Sequence, residues 1–245
     1  MVKVNCNRFR EFLKCLEPMG EDLIFQFSPS EIIVKGIGQG NQIIGDVSIE
    51  METGFSGQLG ESLEMVKKLL PKEVSDVEIV FGKQSLIWAT GYKSTLLSIN
   101  AESCIRVPKK DLVIDPGEVR VNAQQVYERL QSLKSAFTGQ SFTMTFDPEL
   151  PGVVSFSDFD SSMGSMTNTV VTTTAITAKE EQVYPYDVIM PVLNAIRLLS
   201  DGIDFRFMDM PMNEGCKALV IEGMSSKDPY LIEYQYVIAP RVKDV

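Results

Sequence analysis

Histidine is absent from the 245-residue chain. That removes the commonest general base, the Ser-His-Asp and Cys-His arrangements, and the usual zinc ligand set. Cysteine is scarce: Cys6, Cys15, Cys104 and Cys216 show no C-x-x-C spacing, and three of them sit in apolar or helical surroundings. Reduced, buried thiols fit that pattern better than a disulfide frame, which points to an intracellular address. No uninterrupted apolar run reaches the roughly 18 residues of a membrane span, and MVKVNCNRFR begins structure at once, so neither a span nor a signal peptide is expected. Basic charge is in deficit, with 23 Lys and Arg against 33 Asp and Glu and a formal charge of -10. Wholesale electrostatic coating of nucleic acid is thereby disfavoured, because phosphate affinity rests on clustered Lys and Arg.

What is present is ample apolar material, 44% of residues, enough for one large domain or two ordinary ones. Phe9, Phe12, Leu13 and Leu16 form the i, i+3, i+4, i+7 stripe of a helix over 7–18 with Asn7 as N-cap. Alternating segments follow at 22–27, 31–35 and 43–51. A second stripe, Leu59, Leu63, Val66 and Leu70, closes at Pro71, and strands resume at 77–81, 86–89 and 95–100.

The order then begins again. A strand at 118–121 leads into a helix capped by Asn122 and striped by Val126, Leu130, Leu133 and Phe137. Strands are expected at 142–146, 153–159, 168–174 and around 183–189, then a helix over 191–200 with Pro191 at its first position. Strands at 203–208, 218–223 and 230–238 end the series. Each half therefore reads strand, helix, several strands, helix, several strands, which predicts two similar domains of α+β class, rich in antiparallel β-structure. The stretch CIRVPKKDLVIDPG, 104–117, lacks helical period and carries two prolines, so it is read as a connector between domains at 1–103 and 118–245.

The final segment YLIEYQYVIAPRV runs as a strand to Ile238 and stops at Ala239-Pro240-Arg241. This ending resembles the closing strand and tail of the sliding clamps typified by proliferating cell nuclear antigen. Met208-Asp209-Met210-Pro211-Met212 is similar to the Met-Pro or Val-Pro turn of that family, and the doubled two-helix plan agrees across nearly the whole chain. The Gly-rich loop Gly36-Ile37-Gly38-Gln39-Gly40-Asn41 and the insertion-like 213–217 depart from the better-known cellular clamps and mark a divergent branch, of which a virus or phage is one source.

The resemblance implies the DNA clamp fold, with two helices on one face of the sheets in each domain. It implies three subunits joined head to tail around duplex DNA without sequence preference, an ATP-driven clamp loader, and tethering of the replicative DNA polymerase and other partners carrying short peptide motifs. Such a processivity factor has no catalysis and no cofactor of its own, does not engage a membrane, and works at the replication fork, in cytoplasm, nucleoid or nucleus according to its source. Clamps join through edge strands; the candidates are 94–101 and 168–174, with interior strands as the alternative. Opposite or flanking the apolar stripes stand Arg10, Lys14, Lys68, Lys72, Arg129, Lys134 and Arg197, which the family would turn to DNA. A partner-peptide pocket would draw on Ile37, Ile43, Leu112, Ile114, Pro211, Val237, Ala239 and Pro240.

Charge distribution is consistent with that arrangement. The four helical segments, 7–18, 59–73, 122–137 and 191–200, hold nine basic and six acidic residues, net +3, and the remainder of the chain carries -13. A mildly positive lining suits a protein that slides and is retained by encirclement; ordinary solvated helix faces are the alternative. Three other readings have less support. The Gly36–Asn41 run lacks the third glycine and following helix of a dinucleotide loop. Asp158 and Asp160 share a strand face but offer too few oxygens for a hard cation, so a solvated face is expected. A carboxylate-dependent enzyme would need a paired-acid cleft, and a scaffold of clamp-like fold that encircles nothing would show neutral helix faces.

Overall fold

The computed structural model describes residues 2–71, 76–81, 85–89, 93–97, 118–160, 164–200, 202–210 and 215–241. The connector over 104–117, with Leu112 and Ile114, lies outside them, as do Lys72, Pro211 and Cys104. The chain divides into two compact units, Met1–Pro108 with Met224–Tyr234, and Lys109–Gly223 with Gln235–Val245.

The first series of elements is β1 (Val2–Asn5), α1 (Cys6–Leu16), β2 (Asp22–Ser28), β3 (Glu31–Gly38), β4 (Ile43–Glu50), β5 (Gly57–Ser62), α2 (Leu63–Leu69), β6 (Asp76–Phe81), β7 (Ser85–Ala89) and β8 (Lys93–Leu97). The second is β9 (Val119–Val121), α3 (Ala123–Ala136), β10 (Ser141–Phe146), β11 (Val153–Asp160), β12 (Gly164–Val171), β13 (Glu180–Pro185), α4 (Tyr186–Ile196), β14 (Ile203–Asp209), β15 (Lys217–Ser225) and β16 (Ile232–Ile238). Both read strand, helix, four strands, helix, three strands. The strand orders repeat as well: the runs β1-β6-β7-β8 and β5-β2-β3-β4 in the first series match the runs β9-β14-β15-β16 and β13-β10-β11-β12 in the second. This is the α+β class expected from the sequence.

Helix α1 forms on its apolar stripe, with Phe9, Phe12, Leu13 and Leu16 buried. Its cap is Asn5 rather than Asn7: the Asn5 side chain accepts from the Arg8 amide at 3.0 Å, which satisfies one of the unpaired amides of the first turn. In α3 the expected cap is observed, Asn122 Oδ1 accepting from the Gln125 amide at 2.9 Å, with Val126, Leu130 and Leu133 wholly buried. Phe137 falls just past that helix as its C-cap. The second stripe does not run as one helix. Leu59 belongs to β5, paired with Phe25, and only Leu63–Leu69 is helical.

The region before Pro191 also differs from expectation. The strand ends at Pro185 and helix α4 starts at Tyr186, so Pro191 is interior rather than first. Burial of Tyr186, Val188, Ile189, Val192, Leu193 and Ile196 offsets the backbone bond that proline cannot donate.

The Gly-rich loop has a steric basis. A Cβ on Gly38 would lie 1.7 Å from the carbonyl oxygen of Pro18, and one on Gly36 would lie 2.8 Å from Met19 Cβ, so β3 can approach the 3-10 turn Glu17–Met19 only through glycines. Asp158 is not on a solvated face: it is buried, and its carboxylate accepts from Tyr186 Oη at 2.9 Å and from the Phe159 amide. Among the described residues no disulfide forms: Cys6 and Cys15 are buried and Cys216 is half-buried; burial pushes the Cys6 thiol pKa up.

Candidate nucleic-acid interface

The helix cations differ sharply in what they touch. In the first unit Arg10 is half-buried and donates to Asn7 Oδ1 at 2.8 Å and to the Pro71 carbonyl, so part of its donor set is turned along the helix and onto the end of α2. Lys68 pairs with Glu64 one turn earlier at 2.6 Å, and that hydrogen bond holds the Glu64 carboxyl below the usual range. Lys67 pairs with Glu17. Lys14 is half-buried, in the last turn of α1.

In the second unit Arg129 and Lys134 are exposed on α3. Arg197 follows the last turn of α4 as its C-cap, and its guanidinium lies 4.5 Å from the centroid of the Tyr127 ring. Its Nε donates to Asn194 Oδ1 at 3.2 Å and its Nη1 to Gln124 Oε1 at 2.9 Å. Gln124 in turn donates through Nε2 to Glu128 Oε1 at 2.6 Å, which fixes the orientation of its amide. The sequence offers no signal for this grouping, because Gln124 and Tyr127 stand some seventy positions from Arg197.

The proposed edge strands sit where an edge requires. Among the described strands β8 ends the sheet β1-β6-β7-β8 and β12 ends β13-β10-β11-β12, so 94–97 and 168–171 lie on edge strands, whereas the end of the second segment turns to β9, Thr172 bridging to Val121 and the Thr173 amide donating to the Arg120 carbonyl. Strand β12 spans Gly164–Val171, earlier than the expected 168–174, and Val171 is 69% exposed.

Of the residues assigned to a partner pocket, Ile43 is wholly buried in β4 and can support a wall only from within. Ile37 is half-buried on β3 opposite Ile44. Val237 and Pro240 are buried and Ala239 is half-buried, and the tail is held by the Arg241 amide donating to the Val183 carbonyl at 2.8 Å. Among the described residues no group of three or more acidic or cysteine side chains is placed to hold a metal ion, and no helix is long and apolar enough to cross a membrane.

The sequence matches no family model and no curated protein. Solved structures do match, end to end. A chain of the PCNA2–PCNA3 complex from Sulfolobus tokodaii superposes with a TM-score of 0.72 at 18% identity, covering 98% of each chain. PCNA from Thermococcus kodakaraensis gives 0.72 at 14% identity, with 98% and 99% covered. A. fulgidus PCNA, solved with the C-terminal region of FEN-1, gives 0.76 at 10% identity, with 100% and 99% covered.

The chain has the PCNA sliding-clamp fold. At identities of 10–18% the agreement is one of backbone path. What carries over is the doubled plan with paired helices in each half. The side chains on this clamp fold act through their own surroundings, which differ from one helix cation to the next.

Proposed function

We propose that the chain is a sliding-clamp subunit: three copies close head to tail around duplex DNA, without sequence preference, and tether the replicative DNA polymerase. The observation that carries this reading is the repeat of strand, helix, four strands, helix and three strands, over a backbone that matches clamps along 98–100% of its length. Two compact units per chain give six domains in a trimer. Strands β8 and β12, each at the end of its sheet, are the proposed joining edges. Arg10, Lys14, Lys68, Lys72, Arg129, Lys134 and Arg197 line the proposed hole, and the net +3 of the four helical segments that carry them favours sliding over tight grip. Domains at 1–103 and 118–245 with a connector at 104–117 complete the assignment.

A. fulgidus PCNA was solved with the C-terminal region of FEN-1, and by that likeness the chain is proposed to take peptide segments of DNA-processing partners, with Val237, Ala239 and Pro240 at the tail contributing. An ATP-driven loader would place it on DNA at the replication fork, and the subunit itself would catalyse nothing. Tethering by encirclement raises the effective concentration of a bound enzyme without further bonds to DNA.

Two measurements test the reading. Light scattering should give about three times the 27.3 kDa chain mass. After threading onto linear duplex whose ends are then blocked with bound protein, the clamp should remain at high salt and leave when the duplex is cut. A stable monomer, or loss at high salt despite blocked ends, would contradict encirclement.

A further inference from the structure

Among the helix cations of the second unit, Arg197 is the one with surroundings built from described side-chain contacts. Its guanidinium face rests on Tyr127, its Nε is held by Asn194, and one Nη1 hydrogen is held by Gln124, whose own amide is oriented by Glu128. Among the described residues none of the groups bonded to it is a carboxylate, and no ion pair offsets its positive charge. Among the described hydrogen bonds the Nη2 hydrogens are not spent, and the side chain is half-exposed.

Lys68 offers the contrast: it is equally a helix cation, but Glu64 lies 2.6 Å from its ammonium. To reach a phosphate, Lys68 must first leave a carboxylate; Arg197 has only to take one more acceptor at an open edge. A stacked, hydrogen-bonded guanidinium also loses less conformational freedom on meeting a phosphate than a free lysine does.

We propose that Arg197 is a pre-oriented phosphate-binding group for duplex DNA and that Tyr127 and Gln124 are its positioning residues. The proposal rests on the clamp reading. It assigns the strongest DNA-backbone interaction of the second unit to a site spread over α3 and the end of α4, while the Lys68–Glu64 pair of the first unit contributes little.

The test is the salt dependence of binding to a short fluorescein-labelled duplex, measured by anisotropy over a sodium chloride titration with the full chain. Arg197→Gln should flatten the slope of log K against log salt by about 0.9 for each phosphate that is no longer neutralised. Arg197→Lys keeps the charge but loses the fork and the stack, so the slope should hold while affinity falls severalfold. Tyr127→Phe keeps the ring face and should behave as wild type, whereas Tyr127→Leu should weaken binding as Arg197→Lys does.

The paired change Glu64→Gln with Lys68→Gln, which removes a cation already paired at 2.6 Å, should change slope and affinity much less than Arg197→Gln does. Equal effects from Arg197→Gln and the Glu64/Lys68 pair, or full affinity in Tyr127→Leu, would overturn the proposal. A wild-type chain that is not retained on end-blocked duplex would instead overturn the clamp reading itself, so the two failures are distinguishable.

Discussion

Tyr186 Oη donates to Asp158 Oδ2 at 2.9 Å inside the second unit, linking the first residue of α4 to the middle of β11. Burial, and then the bond to Asp158, push the Tyr186 phenol pKa above its ordinary range. Removing the hydroxyl leaves a buried carboxylate oxygen without its donor. Tyr186→Phe should therefore lower stability by about 2 kcal/mol, seen as a lower urea midpoint at unchanged slope.

The same pair sets an alkaline limit. Tyr184 is also raised, mainly by burial, with Glu180 and Cys216 adding to it. Both phenols stay protonated in the folded chain while the unfolded chain ionises them near about pH 10. A raised folded pKa gives stability that is present below the unfolded value and lost as pH rises above it. Stability should thus fall above about pH 10, with a phenolate absorbance step coincident with unfolding; ionisation of every tyrosine before unfolding would refute this.

Gly38→Ala places a methyl against a backbone carbonyl that no side-chain movement relieves. A destabilisation of about 3 kcal/mol is expected, or failure to fold. Gly152→Ala, where a Cβ meets nothing within 4 Å, should stay within about 0.5 kcal/mol of wild type. Thermal unfolding of the two variants side by side checks the contrast.

Arg8 is a buried charge that closes the first unit. Its Nε and Nη2 donate to the Tyr230 carbonyl at 3.0 and 2.9 Å, its Nη2 also to the Ser225 carbonyl, and its Nη1 to Glu11 at 2.5 Å. Arg8→Met keeps much of the volume and strips those carbonyls of a donor. We expect a cost of about 3 kcal/mol and faster hydrogen exchange or proteolysis over 225–230 than elsewhere.

Edge pairing is tested on β12. Thr167→Lys with Thr169→Lys puts two charges on that edge strand, a device that blocks strand addition without disturbing the strand's own sheet. The mass in solution should drop from about three chains to one with the unfolding midpoint unchanged; a persistent trimer would place the joint elsewhere.

Much of this fold can be read from spacing alone. Asn122 with Val126, Leu130 and Leu133 specifies α3 because cap and stripe agree. The doubled order is legible because each half repeats the same alternation of periods. Where sequence and structure part, two signals compete. Asn5 and Asn7 are both acceptable caps, and only the Asn5 bond to Arg8 decides between them. Leu59 and Leu63 fit a helical period although a strand ends and a helix begins between them, since one buried face can continue through the junction. Pro191 suggests a helix start because the burial that tolerates it inside α4 comes from distant elements. Asp158 looks solvated in the sequence because nothing in its neighbourhood announces Tyr186. The Arg197 grouping is illegible for the same reason, being made by two helices far apart in sequence.

The two proposed edges occupy unlike positions in the repeat. Strand β8 is the last of its series, whereas β12 is the third of the four strands between the helices of the other, so their counterparts in the opposite series are β16 and β4. Pairing β8 with β12 therefore joins strands that are not interchangeable. An assembly made this way would have a front and a back, and under the proposed clamp function whatever docks on one face would travel along the duplex with a fixed orientation.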